Sequence, residues 1–336
     1  MYTDNVPRRI IRLSEPASTR WGGAHLEEDK KDAALLIKEA EKDVADYMGD
    51  YSWMLKAYPV VSGVVRRLYS MYGGLYLDDM EFWAKSLGMS LGRLVMLNCA
   101  YEISHVTGKL YGCTAGAIRQ GNRGWCHVRN MDWPLKAIGR ATRIYEYQTP
   151  THMFYSVGMP GYVGVISGMV PGAYSVTINW APPVGRPTFD FGPGFLLRHV
   201  LETCTKVHDA IEVLSSTPLA TSVFYTVVSG LTPLVIERTP TRSAVRYLYD
   251  QGAQGNHFHD KTFGNTYNTD KEHVEWSVSR EDRLSRSIST LTKKDKTLSL
   301  TELAGCLDDY PTCNECSYQQ MIFVPHTGEL EVWRWL

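Results

Sequence analysis

The sequence has no long hydrophobic run of the kind that spans a membrane. No segment offers about 18 uncharged apolar residues in succession, the length that a transmembrane helix requires. The first residues, Met1 to Pro16, carry charges and lack the apolar core of a secretory signal peptide. We therefore expect a soluble protein with a cytoplasmic location.

The sequence also has no excess of charge and no internal repeat. Lysine and arginine number 35 against 36 acidic residues, so no overall field attracts nucleic acid. Apolar residues make up 44% of the 336, which is sufficient for a substantial core in one domain or two. The chain is therefore expected to be globular and not to bind nucleic acid.

A disulfide framework is missing as well. The cysteines number seven, an odd count scattered along the chain, which is typical of reduced thiols. Cys313 and Cys316 have C-x-x-C spacing, but no second Cys or His pair lies near enough in sequence to complete a zinc site. His257 and His259 share a Gly/Asn-rich loop without a metal motif. We expect no metal site and no organic cofactor.

What the sequence does contain indicates an α+β fold. After Trp133 the apolar pattern has period two, and blocks of helical pattern interrupt it without alternating one for one with the strands. Before that point, apolar residues at helical spacing predict a helix from Leu26 to near Gly49, and Ser90 is placed to cap a helix over 91–103. Residues 1–25 are expected to be irregular.

An aromatic and aliphatic segment, Tyr51 to Tyr76, has two interpretations. A pair of core helices broken at Pro59 and at Gly73-Gly74 accounts for its composition. The alternative is a partly exposed apolar surface that makes transient contact with a membrane or a lipid substrate. Both interpretations remain open at this stage.

The most informative stretch runs from Gly112 to Trp133. Two alternating segments flank a Gly/Asn turn, which predicts a β-hairpin, and Cys113 falls near the same end as Arg129 and Asp132. A thiol becomes a nucleophile as its thiolate, and a neighbouring arginine stabilises that form. If the chain were cut before Cys113, the freed α-amine, whose pKa is ordinarily about 8, would supply a general base held by Asp132.

The motifs Cys113-Thr114 and Arg129-Asn130-Met131-Asp132 resemble those of the N-terminal-nucleophile hydrolases of the choloylglycine hydrolase superfamily. Within it, they are most similar to the branch of acid ceramidase and N-acylethanolamine acid amidase, and N-C-A-Y-E before the hairpin extends the resemblance. The resemblance implies an αββα sandwich. It also implies self-cleavage between Gly112 and Cys113, which would yield a helical segment, 1–112, associated with a catalytic segment, 113–336.

The resemblance further implies three more catalytic residues. Asn179, in V-T-I-N-W-A-P, corresponds to an oxyanion donor, and Asn268, in N-T-Y-N-T-D, corresponds to a second donor for which Asn265 is the alternative. Arg283 corresponds to a supporting arginine, with Arg280 and Arg286 as alternatives.

The strand G-Y-V-G at 161–164 resembles one that borders the family's acyl pocket. We therefore expect Met159, Tyr162 and Ile166 to bind substrate. The implied function is a cysteine amidohydrolase that cleaves the linear amide of a ceramide or N-acylethanolamine through an acyl-thioester on Cys113. The alternatives are an acyltransferase of the isopenicillin-N type and a catalytically silent lipid-binding protein.

Overall fold

Two β-sheets form the centre of the molecule. The structure, a computed structural model, describes residues 2–3, 5–48, 76–107, 112–185, 188, 190–249, 252–263, 271–293 and 297–336. Its strands are β1 (Tyr2–Thr3), β2 (Arg8–Arg12), β3 (Gly112–Gln120), β4 (Gly124–Asp132), β5 (Arg143–Gln148), β6 (Met153–Gly158), β7 (Ser167–Val170), β8 (Tyr174–Trp180), β9 (Val223–Ser229), β10 (Leu234–Arg238), β11 (Ser243–Tyr247), β12 (Ala253–Gln254), β13 (Ser317–Val324) and β14 (Glu329–Trp335).

The smaller sheet has the order β1-β14-β13-β4-β3-β12, and the larger has the order β11-β10-β9-β8-β7-β6-β5-β2. Their strand pairs are antiparallel, apart from the parallel pair of β2 and β5. The helices are α1 (Ala17–Arg20), α2 (Leu26–Met48), α3 (Leu77–Ser86), α4 (Leu91–Asn98), α5 (Ala100–Thr107), α6 (Ala137–Ala141), α7 (Pro193–Thr203), α8 (Val207–Ser216), α9 (Lys271–Thr292) and α10 (Leu300–Ala304).

The sheets stack face to face between two layers of helices. Between the sheets, Val157 and Met169 of the larger sheet pack against Met321 and Phe323 of the smaller one. Helices α7 and α8 cover the outer face of the larger sheet, and α9 and α10 cover that of the smaller. The predicted α+β class and αββα layering are therefore confirmed.

The described part of residues 1–112 is joined to both sheets. β1 pairs with β14 in the smaller sheet, and β2 pairs with β5 in the larger. A buried cluster of charges adds to these pairings, since Asp29 of α2 accepts from Arg9 Nε at 2.9 Å and from Arg143 Nε at 2.8 Å. Arg143 also contacts Asp32 at 2.6 Å. Breaking such a pair on one side costs about 3–5 kcal/mol, so the cluster anchors α2 to β5.

Local sequence signals explain much of the helical structure. The predicted helix from Leu26 ends at Met48, and Ser90 caps α4 by accepting from the Arg93 backbone N–H at 3.3 Å. The single helix expected over 91–103 is two helices, because Cys99 leaves helical geometry with φ −95° and ψ 19°.

One further expectation differs from the structure, and another falls outside the described residues. Residues 8–12 were expected to be irregular but form β2. Arg9 and Ile11 are buried and alternate with exposed residues, which is the pattern of a strand with one face against the core. Of the apolar segment Tyr51 to Tyr76, residues 51–75 lie outside the described residues. In the described ranges, no helix is both long enough and apolar enough to cross a bilayer.

Candidate active site

The hairpin of β3 and β4 is built around a glycine turn. Gly121 and Gly124 adopt φ of 37° and 71°, values that glycine reaches without the strain that a β-carbon causes. Each strand of the hairpin is buried over most of its length, because β3 and β4 lie between α9 and the larger sheet. The predicted hairpin is confirmed.

Strand register brings the chemistry to one end of the hairpin. Cys113 pairs with Met131, and Gly112 pairs with Asp132. Arg129 lies on the return strand, two residues before Met131. A β-carbon at Gly112 would lie 3.0 Å from Asp132 Cβ and 3.2 Å from its carbonyl oxygen. Glycine at 112 therefore permits the close approach of the two strands.

Arg129 is fully buried beside the thiol of Cys113. Its Nη2 donates to Cys113 Sγ at 3.2 Å and to the Ile178 carbonyl at 2.5 Å. Its Nη1 donates to the Ile166 carbonyl at 3.0 Å and to Ser167 Oγ. Because a guanidinium keeps its proton in proteins, a fixed positive charge faces the sulfur. The candidate nucleophile therefore has a positive charge as its immediate neighbour.

Asp132 is buried, and Ser317 and Arg280 contact its carboxylate. Its Oδ1 accepts from Ser317 Oγ at 2.5 Å, and its Oδ2 lies 3.2 Å from Arg280 Nη1. Burial raises the pKa of Asp132 above its ordinary value, although the Arg280 charge and the Ser317 hydrogen bond act in the opposite direction. Its carboxylate is therefore a stronger base than a solvated aspartate.

Arg280 connects the hairpin to helix α9. Its Nη1 donates to the Cys113 carbonyl at 2.9 Å, to Thr114 Oγ1 at 3.0 Å and to Asp132. Its Nη2 donates to Asn256 Oδ1 at 2.7 Å. The side chain has no solvent exposure, so these bonds fix its position.

Asn256 holds the backbone nitrogen of Cys113. Its Oδ1 accepts from the Cys113 N–H at 2.9 Å, and its Nδ2 donates to the Trp180 carbonyl at 2.7 Å. That N–H belongs to the peptide bond between Gly112 and Cys113. Asn256, not Asp132, is therefore the side chain bound to the nitrogen that cleavage would release as an amine.

Asn179 also lies at this end of the hairpin. Its Nδ2 donates to the carbonyls of Gln254 at 2.7 Å and Gly255 at 3.0 Å, and reaches the Cys113 carbonyl at 3.3 Å. The amide donors are thus engaged by backbone oxygens. To serve an oxyanion, Asn179 would have to exchange one of these bonds.

The structure separates Arg283 from the hairpin. Its side chain is 38% exposed and pairs with Asp309 at 2.9 Å. Helix α9 presents Arg280, Leu284 and Ile288 as its buried face, with a spacing of four residues, and Arg283 falls outside that row. The arginine at the site is therefore Arg280, an alternative in the sequence analysis. The predicted donor Asn268 and its alternative lie within 264–270, outside the described residues.

Sequence reasoning missed Asn256 and Ser317. Asn256 follows Gly255 directly after the short strand β12, a context in which asparagine is usually a turn residue. Ser317 is the first residue of β13 and belongs to no recognisable sequence motif. Nothing local distinguishes either residue from a structural one, since both reach the site through long-range packing.

An apolar groove of about 600 Å³, including its open mouth, lies between α2, α4 and α5 and the segment 159–162. Met159 and Tyr162 lie in its wall, whereas Ile166 lies outside it. Tyr101 also lines the groove and donates to the Asn179 carbonyl at 3.2 Å. The wall residues are Leu36, Ile37, Ala40, Leu94, Leu97, Asn98, Tyr101, Trp133, Leu135, Ile138, Met159, Pro160, Gly161 and Tyr162.

Potential metal ligands occur at one place in the described ranges. His257, His259 and Glu281 bring one ligand atom each to within 4.8 Å of the others. Cys313 and Cys316, the C-x-x-C pair, are half-buried and lie outside that group.

Three comparisons relate the chain to known proteins. The sequence profile described as "Acyl-coenzyme A:6-aminopenicillanic acid acyl-transferase" matches residues 118–320, more than half of the chain. Acid ceramidase of Heterocephalus glaber is 24% identical over 250 residues, which are 67% of this chain and 60% of that protein. N-acylethanolamine-hydrolyzing acid amidase of Mus musculus is 25% identical over 202 residues, which are 56% of this chain and 53% of that protein.

The match therefore spans less than two thirds of the length of these curated relatives. Among solved structures, a Caenorhabditis elegans N-acylethanolamine-hydrolyzing acid amidase ortholog superposes with a TM-score of 0.54 at 18% identity. The superposition covers 67% of this chain and 100% of that one. This likeness supports the same fold.

Proposed function

Because the chain belongs to the acyl-coenzyme A:6-aminopenicillanic acid acyl-transferase family, we propose that it is a self-processing cysteine amidohydrolase that cleaves the linear amide bond of N-acyl substrates. One observation carries the proposal. The Arg129 guanidinium lies 3.2 Å from Cys113 Sγ, and the backbone nitrogen of the same residue donates separately to Asn256. The proposed nucleophile, Cys113 Sγ, thus contacts Arg129, and the nitrogen of the bond to be cut contacts Asn256.

Self-cleavage begins at the thiol of Cys113. The sulfur attacks the carbonyl carbon of Gly112, and the peptide C–N bond breaks as the nitrogen takes up the proton that the thiol releases. A thioester then links Gly112 to the sulfur, and water hydrolyses it to a carboxylate on residue 112 and a free thiol on residue 113. Asn256, 2.9 Å from the nitrogen, retains the new amine. The products are segments 1–112 and 113–336.

Turnover uses the same groups on an external amide. The Cys113 thiolate attacks the acyl carbon, the amine of the substrate leaves with a proton, and water hydrolyses the acyl-thioester to a carboxylic acid. The α-amine of residue 113 takes up and returns the protons. Arg129 stabilises the thiolate.

Asp132 acts on the amine through its neighbours. Its carboxylate holds Arg280, which in turn binds Asn256, the acceptor of the Cys113 N–H. We assign the supporting role to Arg280 and not to Arg283. Asn179 serves as an oxyanion donor in this scheme, a role whose loss typically raises the barrier by about 3–4 kcal/mol. The second donor, Asn268, stays a prediction.

The proposed substrate is a fatty acyl amide of the ceramide or N-acylethanolamine type. The apolar groove supports this class, because its wall consists mainly of aliphatic and aromatic side chains, and Tyr101 links it by hydrogen bonds through Asn179 to the Cys113 carbonyl. The names of the two curated relatives refer to substrates of this class.

Denaturing electrophoresis with intact-mass measurement tests the proposal. We expect two fragments that meet at Gly112/Cys113 and hydrolysis of a fatty acyl amide, and Cys113→Ala should abolish both. Cys204→Ala is the matched control, because Cys204 is also buried but caps the end of α7. An uncut chain with full amidase activity would refute the mechanism.

A second candidate keeps the acyl-thioester and changes the acceptor. The family profile is described as an acyl-transferase, which favours passage of the acyl group to an amine. Mass analysis of products with and without an added acceptor amine distinguishes the two functions. A free fatty acid as the main product in the presence of the amine supports hydrolysis.

A further inference from the structure

A cluster of His257, His259 and Glu281 lies beside the candidate active site and takes no part in the proposed reaction. His259 Nε2 is 2.8 Å from Glu281 Oε1, and His257 Nε2 is 3.8 Å from Glu281 Oε2. One ligand atom from each of the three residues lies within 4.8 Å of the others. The sequence left the histidines unassigned, because their carboxylate partner comes from a separate element, helix α9.

We propose that this cluster binds a divalent first-row transition-metal ion, with zinc as its representative. Two histidines and one glutamate are a ligand set that proteins use for zinc when a coordination position is left open for water. Tetrahedral ligands at about 2.05 Å from zinc lie about 3.3 Å apart. The separations of 2.8 and 3.8 Å lie on either side of that value, and each histidine faces a different oxygen of Glu281, so an ion held by all three residues requires the side chains to move toward a common centre.

Hydrogen bonds orient the ligands as a metal site requires. His257 Nδ1 lies 2.8 Å from Ser277 Oγ, which also accepts from the Asn256 N–H at 2.5 Å, and this leaves Nε2 directed at Glu281. Glu281 Oε2 accepts from the Gly255 N–H at 2.7 Å. A ligating imidazole generally has its other nitrogen fixed by an oxygen, and a ligating carboxylate is itself hydrogen-bonded.

The cluster is accessible from one side. The His259 side chain is 30% exposed, whereas those of His257 and Glu281 are 11% and 12% exposed. An ion can therefore enter past His259 and retain water at the remaining positions.

Bound metal would cross-link two elements that serve the candidate active site. His257 follows Asn256, and Glu281 follows Arg280, so the ion ties both ends of the 2.7 Å bond between Asn256 and Arg280. Occupancy should therefore stabilise this contact. The binding itself does not depend on the proposed amidase function.

The test measures metal binding by the full chain after treatment with a chelator. We expect Zn²⁺ to bind with one equivalent in calorimetry and to raise the melting temperature, and Co²⁺ to give visible absorption typical of nitrogen and oxygen ligands. His259→Ala and Glu281→Gln should each weaken binding by at least about tenfold. His326→Ala, at an exposed histidine in the turn before β14, should leave it unchanged.

His259→Ala removes a partly exposed side chain, so it keeps the test valid if Glu281→Gln does not fold. Absence of saturable binding would overturn the proposal. Equal affinity in wild type and His259→Ala would do so as well, and so would near-ultraviolet absorption from cobalt bound to thiolates, which would assign the ion to cysteines.

Discussion

Replacement of Arg280 by methionine removes a buried cation that holds a buried carboxylate. Arg280 has no solvent exposure and lies 3.2 Å from Asp132 Oδ2. It also donates to Asn256 and to the Cys113 carbonyl. Breaking one side of a buried ion pair costs about 3–5 kcal/mol, because the remaining charge is left without compensation. At about 2 °C per kcal/mol for a chain of this size, Arg280→Met should melt about 6–10 °C below wild type.

Arg283→Met provides a matched control on the same helix. Its partner is Asp309, and both side chains are more than a third exposed, at 38% and 45%. An exposed ion pair contributes about 0–1 kcal/mol after solvent screening, so the control should melt within about 2 °C of wild type. Both melts are measured on the Cys113→Ala background, so that cleavage does not differ between samples.

Self-cleavage is then followed in the chain with an intact nucleophile. Arg280→Met should cleave at least about tenfold more slowly than wild type, since Asn256 and Asp132 both lose their common donor. Arg280→Lys should recover part of the rate, because it keeps the charge but lacks the planar fork. Equal melting temperatures for Arg280→Met and Arg283→Met, or wild-type cleavage by Arg280→Met, would refute the assignment of Arg280 to the site.

Two further predictions concern pH and the groove. Burial, assisted by the Arg129 charge, lowers the pKa of His127 to about 3, so the native chain keeps this imidazole neutral while the unfolded chain binds a proton below about pH 6.5. Between pH 6.5 and 5 this group should reduce the free energy of unfolding by about 2 kcal/mol, and denaturant melts of His127→Gln should lose that much less. Identical pH dependence would contradict this. In the groove, Ala40→Phe should raise KM for a long-chain acyl amide about tenfold or more but leave a short-chain substrate unaffected, as steady-state kinetics would measure. Equal changes for both substrates would mean that the groove does not hold the acyl chain.

Local patterns in the sequence were sufficient for the hairpin and for several helices. The two glycines of the turn and the alternation of β3 and β4 specify the pairing of Cys113 with Met131. The proximity of Cys113 and Arg129 follows from it directly.

The partners supplied by distant elements could not be obtained in this way. Helical spacing puts Arg280, and not Arg283, in line with Leu284 and Ile288, but only the packing of α9 onto β3 shows that this row faces the site. Asn256 likewise depends on where β12 pairs with β3. The family resemblance pointed to Arg283, with Arg280 and Arg286 as alternatives, and the structure places Arg280 beside Asp132.

The N-terminal strands would make the stability of a cleaved chain depend on protein concentration. β1 completes the smaller sheet and β2 completes the larger, although both precede Gly112. While the backbone is continuous, unfolding is unimolecular and its midpoint is independent of protein concentration. If the bond before Cys113 is cut as proposed, separation of the two segments becomes a dissociation, and the midpoint falls on dilution. Two separated fragments would have to associate again before either sheet could re-form, so the proposed cleavage would make refolding a bimolecular reaction.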